Sequence, residues 1–116
     1  MKISIAVSTP DAEFSALALK GNFRDNFRLV RSLGFDGVEI SVRDPAALDT
    51  GELVSLAEEH SLSIAAMGTG RAFGEDGLSF SDPDPGVRGK AVGRISSHIE
   101  LASLLGCRVI LGLILG

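Results

Sequence analysis

The sequence predicts an α/β chain of parallel strands in the order (βα)3β, half of an eight-stranded (β/α)8 barrel. Three observations point there. Four apolar segments of strand length alternate with three of helical periodicity. Two helix-to-strand returns resemble each other, "RSLGFDGVEI" after the first helix and "SLLGCRVIL" after the third; each is a Leu-Gly stop and then, within a few residues, an apolar strand. The first two strands are two-faced, branched aliphatics on one side and small, polar or charged residues on the other. Strand-helix-strand crossovers are right-handed and set consecutive strands parallel, which leaves a doubly wound sheet or a barrel. A doubly wound sheet carries helices on both faces and needs strands apolar throughout. A two-faced strand suits a barrel with helices outside and a polar mouth inside. The alternative architecture is a flavodoxin-like sheet, whose Gly-rich loops would hold a nucleotide or phosphate.

The first strand, "KISIAVS" (Lys2–Ser8), puts Ile3, Ile5 and Val7 on one face and Ser4, Ala6 and Ser8 on the other. Asn22 can cap the first helix, in which Phe23, Phe27, Val30 and Leu33 recur at helical spacing until Gly34 ends it. The second strand, "GVEISVR" (Gly37–Arg43), alternates Val38, Ile40 and Val42 with Glu39, Ser41 and Arg43. Asp49 followed by Glu52 has the spacing of a capping box, and Leu53, Leu56 and Ala57 form the apolar stripe behind it. The third strand, "LSIAAMG" (Leu62–Gly68), and the fourth, "RVILGLI" (Arg108–Ile114), are more uniformly apolar. Asp84-Pro85 places a cap before an N1 proline, and Val87, Ala91, Ile95, Ile99 and Ala102 carry the third helix to Gly106. Gly89 and Gly93 each oppose that helix by about 1 kcal/mol relative to Ala.

Composition bounds the function. The 116 residues suit one domain, residues 1–116, with 45% hydrophobic and 22% charged residues. Eleven basic residues against fifteen acidic ones, net charge −4, offer no electrostatic basis for binding nucleic acid. A single cysteine, Cys107, precludes an internal disulfide and fits a reducing cytoplasm. The N-terminal segment alternates like a strand rather than a signal peptide, and no apolar run reaches the ~20 residues that span a bilayer. No membrane partner is expected.

"KISIAVST", "NFRLVRSLGFDGVEISV", "LVSLAEEHSLSIAAMGTG" and "HIELASLLGCRVILG" together resemble the N-terminal half of the xylose isomerase-like TIM barrels. That superfamily includes sugar and sugar-phosphate isomerases and epimerases and the endonuclease IV group of AP endonucleases. The resemblance implies proton transfer between adjacent sugar carbons through an enediol, with a divalent metal polarising the carbonyl. It places most metal ligands on later strands, so no cofactor is assigned to this chain while a divalent metal is expected for the intact barrel. The endonuclease IV group also uses histidines at the ends of the third and fourth strands. Here those ends read "AMGTG" and "ILGLILG", which disfavours a nuclease.

Glu39 is the foremost substrate-binding candidate, because a carboxylate in mid-strand on an inner face is costly to bury unless it is paired or bound to something; its structural reading is a pair with Arg43, or a side chain that faces water. Arg43, at the end of the second strand where barrel sites lie, suits a bidentate hold on a carboxylate or phosphate; its structural reading is an ion pair with Asp44 or Glu39. "GTGRAFGEDGLSFSDPDP" (Gly68–Pro85) is a long Gly-rich connection in which Gly68, Gly70 and Arg71 could present amides and a cation to an anion. Thr9 joins them as a contact from the first strand, and Phe14 in the next loop could close over a sugar ring. His60 and His98 read as structural or solvated and Cys107 as an inert packed thiol, and no metal ligand is assigned.

A chain with four strands leaves two open edges, and the apolar fourth strand at one of them is a pairing hazard. A second copy related by a two-fold could set each fourth strand beside the partner's first and close the ring. The expectation is therefore a cytoplasmic homodimer of half-barrels, from a sugar or sugar-phosphate isomerase or epimerase and inactive alone. The competing reading is a non-catalytic, self-associating scaffold or folding fragment.

Overall fold

The structure, a computed structural model, describes residues 1–9, 19 and 21–116. Phe14 lies outside the described residues. Four strands, β1 (Ser4–Ser8), β2 (Gly37–Ser41), β3 (Ser63–Gly68) and β4 (Arg108–Ile110), form one sheet in the order β1-β2-β3-β4. Every pairing is parallel. Each strand lies beside its predecessor, as in a barrel, whereas a flavodoxin-like sheet runs 2-1-3-4-5. The flavodoxin-like alternative is excluded on that ground.

The helices form where capping chemistry starts and stops them. Asn22 accepts a hydrogen bond from the Asp25 amide (3.3 Å) and opens α1 (Phe23–Ser32). Asp49 accepts from the Glu52 amide (3.0 Å) and opens α2 (Thr50–Glu59). Asp84 accepts from the Gly86 amide (2.8 Å), Pro85 takes the first turn, and the long helix runs from Pro85 to Leu105. It ends at Gly106, whose φ of 66° gives the left-handed cap that glycine adopts without a Cβ penalty. The helix runs unbroken through Gly89 and Gly93, because apolar burial of Ala91, Ile95, Leu101 and Ala102 outweighs two glycine propensities.

The main core lies between the sheet's aliphatic face and three helices. Val7, Val38, Ile40, Val42 and Met67 bury there against Phe23, Phe27 and Val30 of α1, Leu53, Leu56 and Ala57 of α2, and Leu101 and Ala102 of the long helix. Phe23 and Phe27 meet edge to face with ring centroids 5.8 Å apart. The opposite, inner face carries Ser4, Ala6, Glu39, Ser41, Ala66, Gly68 and Arg108. The two-faced reading holds through Ser8 of β1 and Ser41 of β2; β2 ends there, so Arg43, expected on the inner face of that strand, lies beyond it.

Three local features differ from the sequence expectation. β3 contains a bulge: Val38 pairs with Ile64 but Glu39 pairs with Ala66, so Ala65 has no partner. The extra residue turns Ile64 and Met67, three apart, to the same core face, and explains why β3 lacks alternation. The connection after β3 is not all loop, since it holds a short helix, α3 (Gly70–Gly74); the long helix is accordingly α4. The fourth strand stops at Ile110, not Ile114. Gly112 (φ −144°, ψ −109°) leads the backbone out of strand geometry, and Leu113–Leu115 form a 3-10 turn. Ile114 is then fully buried in a second small core with Ala72, Leu78, Ala91 and Ile95, fixed by the Phe80 amide donating to the Ile114 carbonyl (2.9 Å). Part of the apolar C-terminal run is thus covered by the chain itself.

Candidate functional site

The inner face is built in rows across the sheet. Ala6, Glu39, Ala66 and Arg108 occupy one row, and Ser8, Ser41, Gly68 and Ile110 the next row toward the strands' C-terminal ends. Glu39 therefore stands in the middle of the face, between two alanines. Its partly buried carboxylate lies over Gly68, where a Cβ would come within 3.5 Å of Oε1. A methyl at 68 would meet the carboxylate at ordinary van der Waals distance.

Arg71 sits at the start of α3, above the ends of β1 and β2. Its Nε and Nη2 donate to the two carboxylate oxygens of Glu75 at 2.9 and 3.0 Å, a bidentate fork. Its Nη1 donates to the Thr9 hydroxyl and reaches the Ser41 carbonyl at 3.4 Å. The Arg71 and Glu75 side chains are only 4% and 6% exposed. The structure thus unites Arg71 with Thr9 as candidates, but the guanidinium is matched by a buried carboxylate rather than held out to an anion. Sequence reasoning passed over Glu75, although its spacing four residues after Arg71 is that of a helical ion pair. Gly70 is the first residue of α3, with open space around its missing Cβ.

Arg43 lies past the end of β2 and turns to the α4 side. Its Nε is 3.8 Å from an Asp76 oxygen, which also accepts from Arg94 Nη1 at 2.6 Å. Arg94 further donates to the Arg43 carbonyl (3.0 Å) and approaches Asp44 at 3.7 Å. Arg43 thus meets Asp76, while Arg94 of α4 reaches Asp44. One turn along α4, fully buried His98 sets Nε2 2.9 Å from the Val42 carbonyl and Nδ1 2.8 Å from that of Arg94. His98 is structural: it pins α4 to the exit of β2. Thr69, also buried, ties β3 to β4 by donating to the Ile110 carbonyl (2.9 Å).

A cavity of about 380 Å³ opens beside the N-termini of α1 and α2, lined by Thr9, Asn22, Phe23, Ala47, Leu48, Asp49 and Glu52. Of the candidate residues it takes in Thr9 alone. Cys107 precedes β4, and burial pushes its thiol pKa up, against a smaller opposing effect of a backbone hydrogen bond.

A divalent ion needs several oxygen or nitrogen ligands converging on one point. Among the described residues no group of three or more His, Cys, Asp or Glu side chains does so, and Glu39 has two alanines and, beyond them, an arginine in its row. The described residues do not gather such a set, and no step here is routed through a metal. No helix among the described residues is long and apolar enough to cross a membrane.

A family model described as the xylose isomerase-like TIM barrel matches residues 27–116. No curated protein is similar enough to match.

Proposed function

The chain belongs to the xylose isomerase-like TIM barrel family, and from that membership we propose that it supplies the substrate-side half of a sugar or sugar-phosphate isomerase or epimerase site. The observation that supports this most is Glu39, a partly buried carboxylate on the inner sheet face among Ala6, Ala66, Ser41 and Gly68. Small neighbours leave room for a ring or an open polyhydroxy chain. A carboxylate is an acceptor that hydroxyl groups satisfy, two per oxygen. Thr9 and Gly70 frame the mouth at the ends of β1 and β3, while Arg71, joined to Glu75, and Arg43, joined to Asp76, hold that rim in shape. Moving a proton between adjacent carbons needs an acid-base group and an electrophile, and these belong to the strands that complete the barrel. The chain alone binds and orients; it does not turn over.

The test is a titration of the chain with ribose 5-phosphate and xylose, followed by amide NMR shifts. Shifts centred on Glu39, Ser41 and Gly68, weakened at least tenfold in Glu39→Gln, with no interconversion of aldose and ketose, are expected. Binding indifferent to Glu39→Gln would sink the reading.

A second reading, of the chain as a self-associating scaffold, draws on the two open sheet edges. Ile3 is exposed beside β1, and Ile110 and Leu111 are exposed at β4. A second copy that closes the ring would cover both.

A further inference from the structure

We infer that the inner face holds a two-ended subsite, in which Arg108 takes the anionic group of a small polyhydroxy ligand and Glu39 takes its hydroxyls. The inference rests on the proposed reading of this face and adds the ligand's charge and orientation.

Register carries the argument. Glu39 pairs with Ala66 and Ala66 with Arg108, so the two charged residues stand in one row, two strands apart, on the same face. At about 4.8 Å per strand their Cα atoms are about 10 Å apart. Between them lies only the Ala66 methyl, and the row above offers Gly68, so the floor is low. Both residues share the inner face of the sheet, Glu39 partly buried and Arg108 exposed. Among the described residues neither Glu39 nor Arg108 enters an ion pair; the ion pairs there involve Arg24, Arg43, Arg71 and Arg94. Arg71 and Arg43, the cations that the sequence favoured, are joined to Glu75 and Asp76. Arg108 is exposed and lies in the same row as Glu39.

The chemistry follows from the two ends. A guanidinium recognises a phosphate or carboxylate oxygen pair through parallel N–H bonds. The carboxylate of Glu39 repels such a group and accepts from hydroxyls, so the ligand has one orientation. Sugar phosphates and sugar acids share this pattern. Inorganic phosphate lacks the hydroxyl chain, and a neutral sugar lacks the acid.

The experiment compares ribose 5-phosphate, ribonate, ribose and inorganic phosphate by titration calorimetry on the full chain. Ribose 5-phosphate or ribonate is expected to bind at least tenfold more tightly than either ribose or phosphate; the stronger of the two identifies phosphate or carboxylate as the natural group. Arg108→Gln should remove that advantage, so that ribose 5-phosphate and ribonate bind no more tightly than ribose, and Arg108→Lys should restore part of it. Ala66→Leu, which keeps both charges and fills the floor, should abolish binding of all three polyhydroxy ligands while circular dichroism stays that of the parent. If ribose binding depends on Glu39 but Arg108→Gln changes nothing, the subsite falls and the substrate-side reading survives. If none of the four binds, or binding ignores Glu39 as well, both fall.

Discussion

At the scale of single residues, the decisive pair is Arg71 with Glu75. Two opposite charges removed from water lose several kcal/mol of hydration each, and the fork geometry together with Thr9 and Ser41 offsets that loss. Removing one partner deprives the buried charge that remains of its bidentate counter-ion. Glu75→Gln or Arg71→Met should lower unfolding stability by about 3 kcal/mol. The double variant Arg71→Met/Glu75→Leu should lose much less than the sum, and a denaturant melt of all three checks this. Arg71 was legible as a residue of interest from its Gly-rich setting, but its partner was not. Seeing Glu75 required recognising a helix in "GRAFG", a five-residue element flanked by glycines that propensity argues against. Cys107 gives a second prediction, with its sign set by burial. A thiol pKa raised in the folded state means the neutral form is favoured, so this contribution to stability is full below about pH 8.5 and fades as pH rises through the raised value. Since the thiolate is the reactive form, iodoacetamide at pH 8 should alkylate the folded chain several-fold more slowly than the guanidinium-unfolded chain.

At the scale of elements, legibility depends on whether the stabilising contacts are local. The three capped helices were readable from Asn22, Asp49 and Asp84, because a cap acts within three residues of its own position. The strand faces of β1 and β2 were readable because alternation is local too. The β3 bulge was hidden, since pairing Glu39 with Ala66 is a relation between strands and leaves no mark in either alone. The early stop of β4 was hidden for the same reason: Ile114 leaves the sheet for a pocket made by Ala72, Leu78, Ala91 and Ile95, residues far back in the chain. Within α4, Gly89 and Gly93 are helical, and the space an alanine methyl would take at either is open to 4 Å, so packing gives no reason for glycine. Gly89→Ala and Gly93→Ala should each raise stability by about 0.5–1 kcal/mol, through helix propensity and a less flexible unfolded chain. Thermal unfolding would show additive gains; a loss in either variant would mean that a close partner packs against that side of α4.

At the scale of the whole molecule, the sheet is an open arc. Sequential parallel order with helices on its aliphatic face is the geometry of a barrel wall; among the described residues β1 and β4 are the end strands of that wall, and the outer side of β1 meets Leu19, which bridges Val7 and accepts from the Ser8 amide at 2.8 Å. The chain reduces exposure at its edges itself, by shortening β4 to three residues and folding Ile114 away. It does not remove it: Ile3 at one edge is 51% exposed, and Leu111 and Leu113 beyond the other are 42% and 61% exposed. A rotation of 180° about the barrel axis sets β4 of one copy parallel to β1 of the next and repeats the contact on the far side, so both edges close at once. The same operation brings two copies of the Glu39–Arg108 row to face one another across the interior. Light scattering should therefore give twice the 12.1 kDa of one chain, and the mass should fall only where the chain unfolds. A lysine on either edge should break this closure, since an edge charge blocks strand addition. Ile3→Lys and Leu111→Lys should each yield a folded monomer with weaker sugar-phosphate binding, because half the interior wall is then missing. A wild-type monomer that unfolds cooperatively at every concentration would overturn closure by a second copy, and would mean that two free edges are stable on their own.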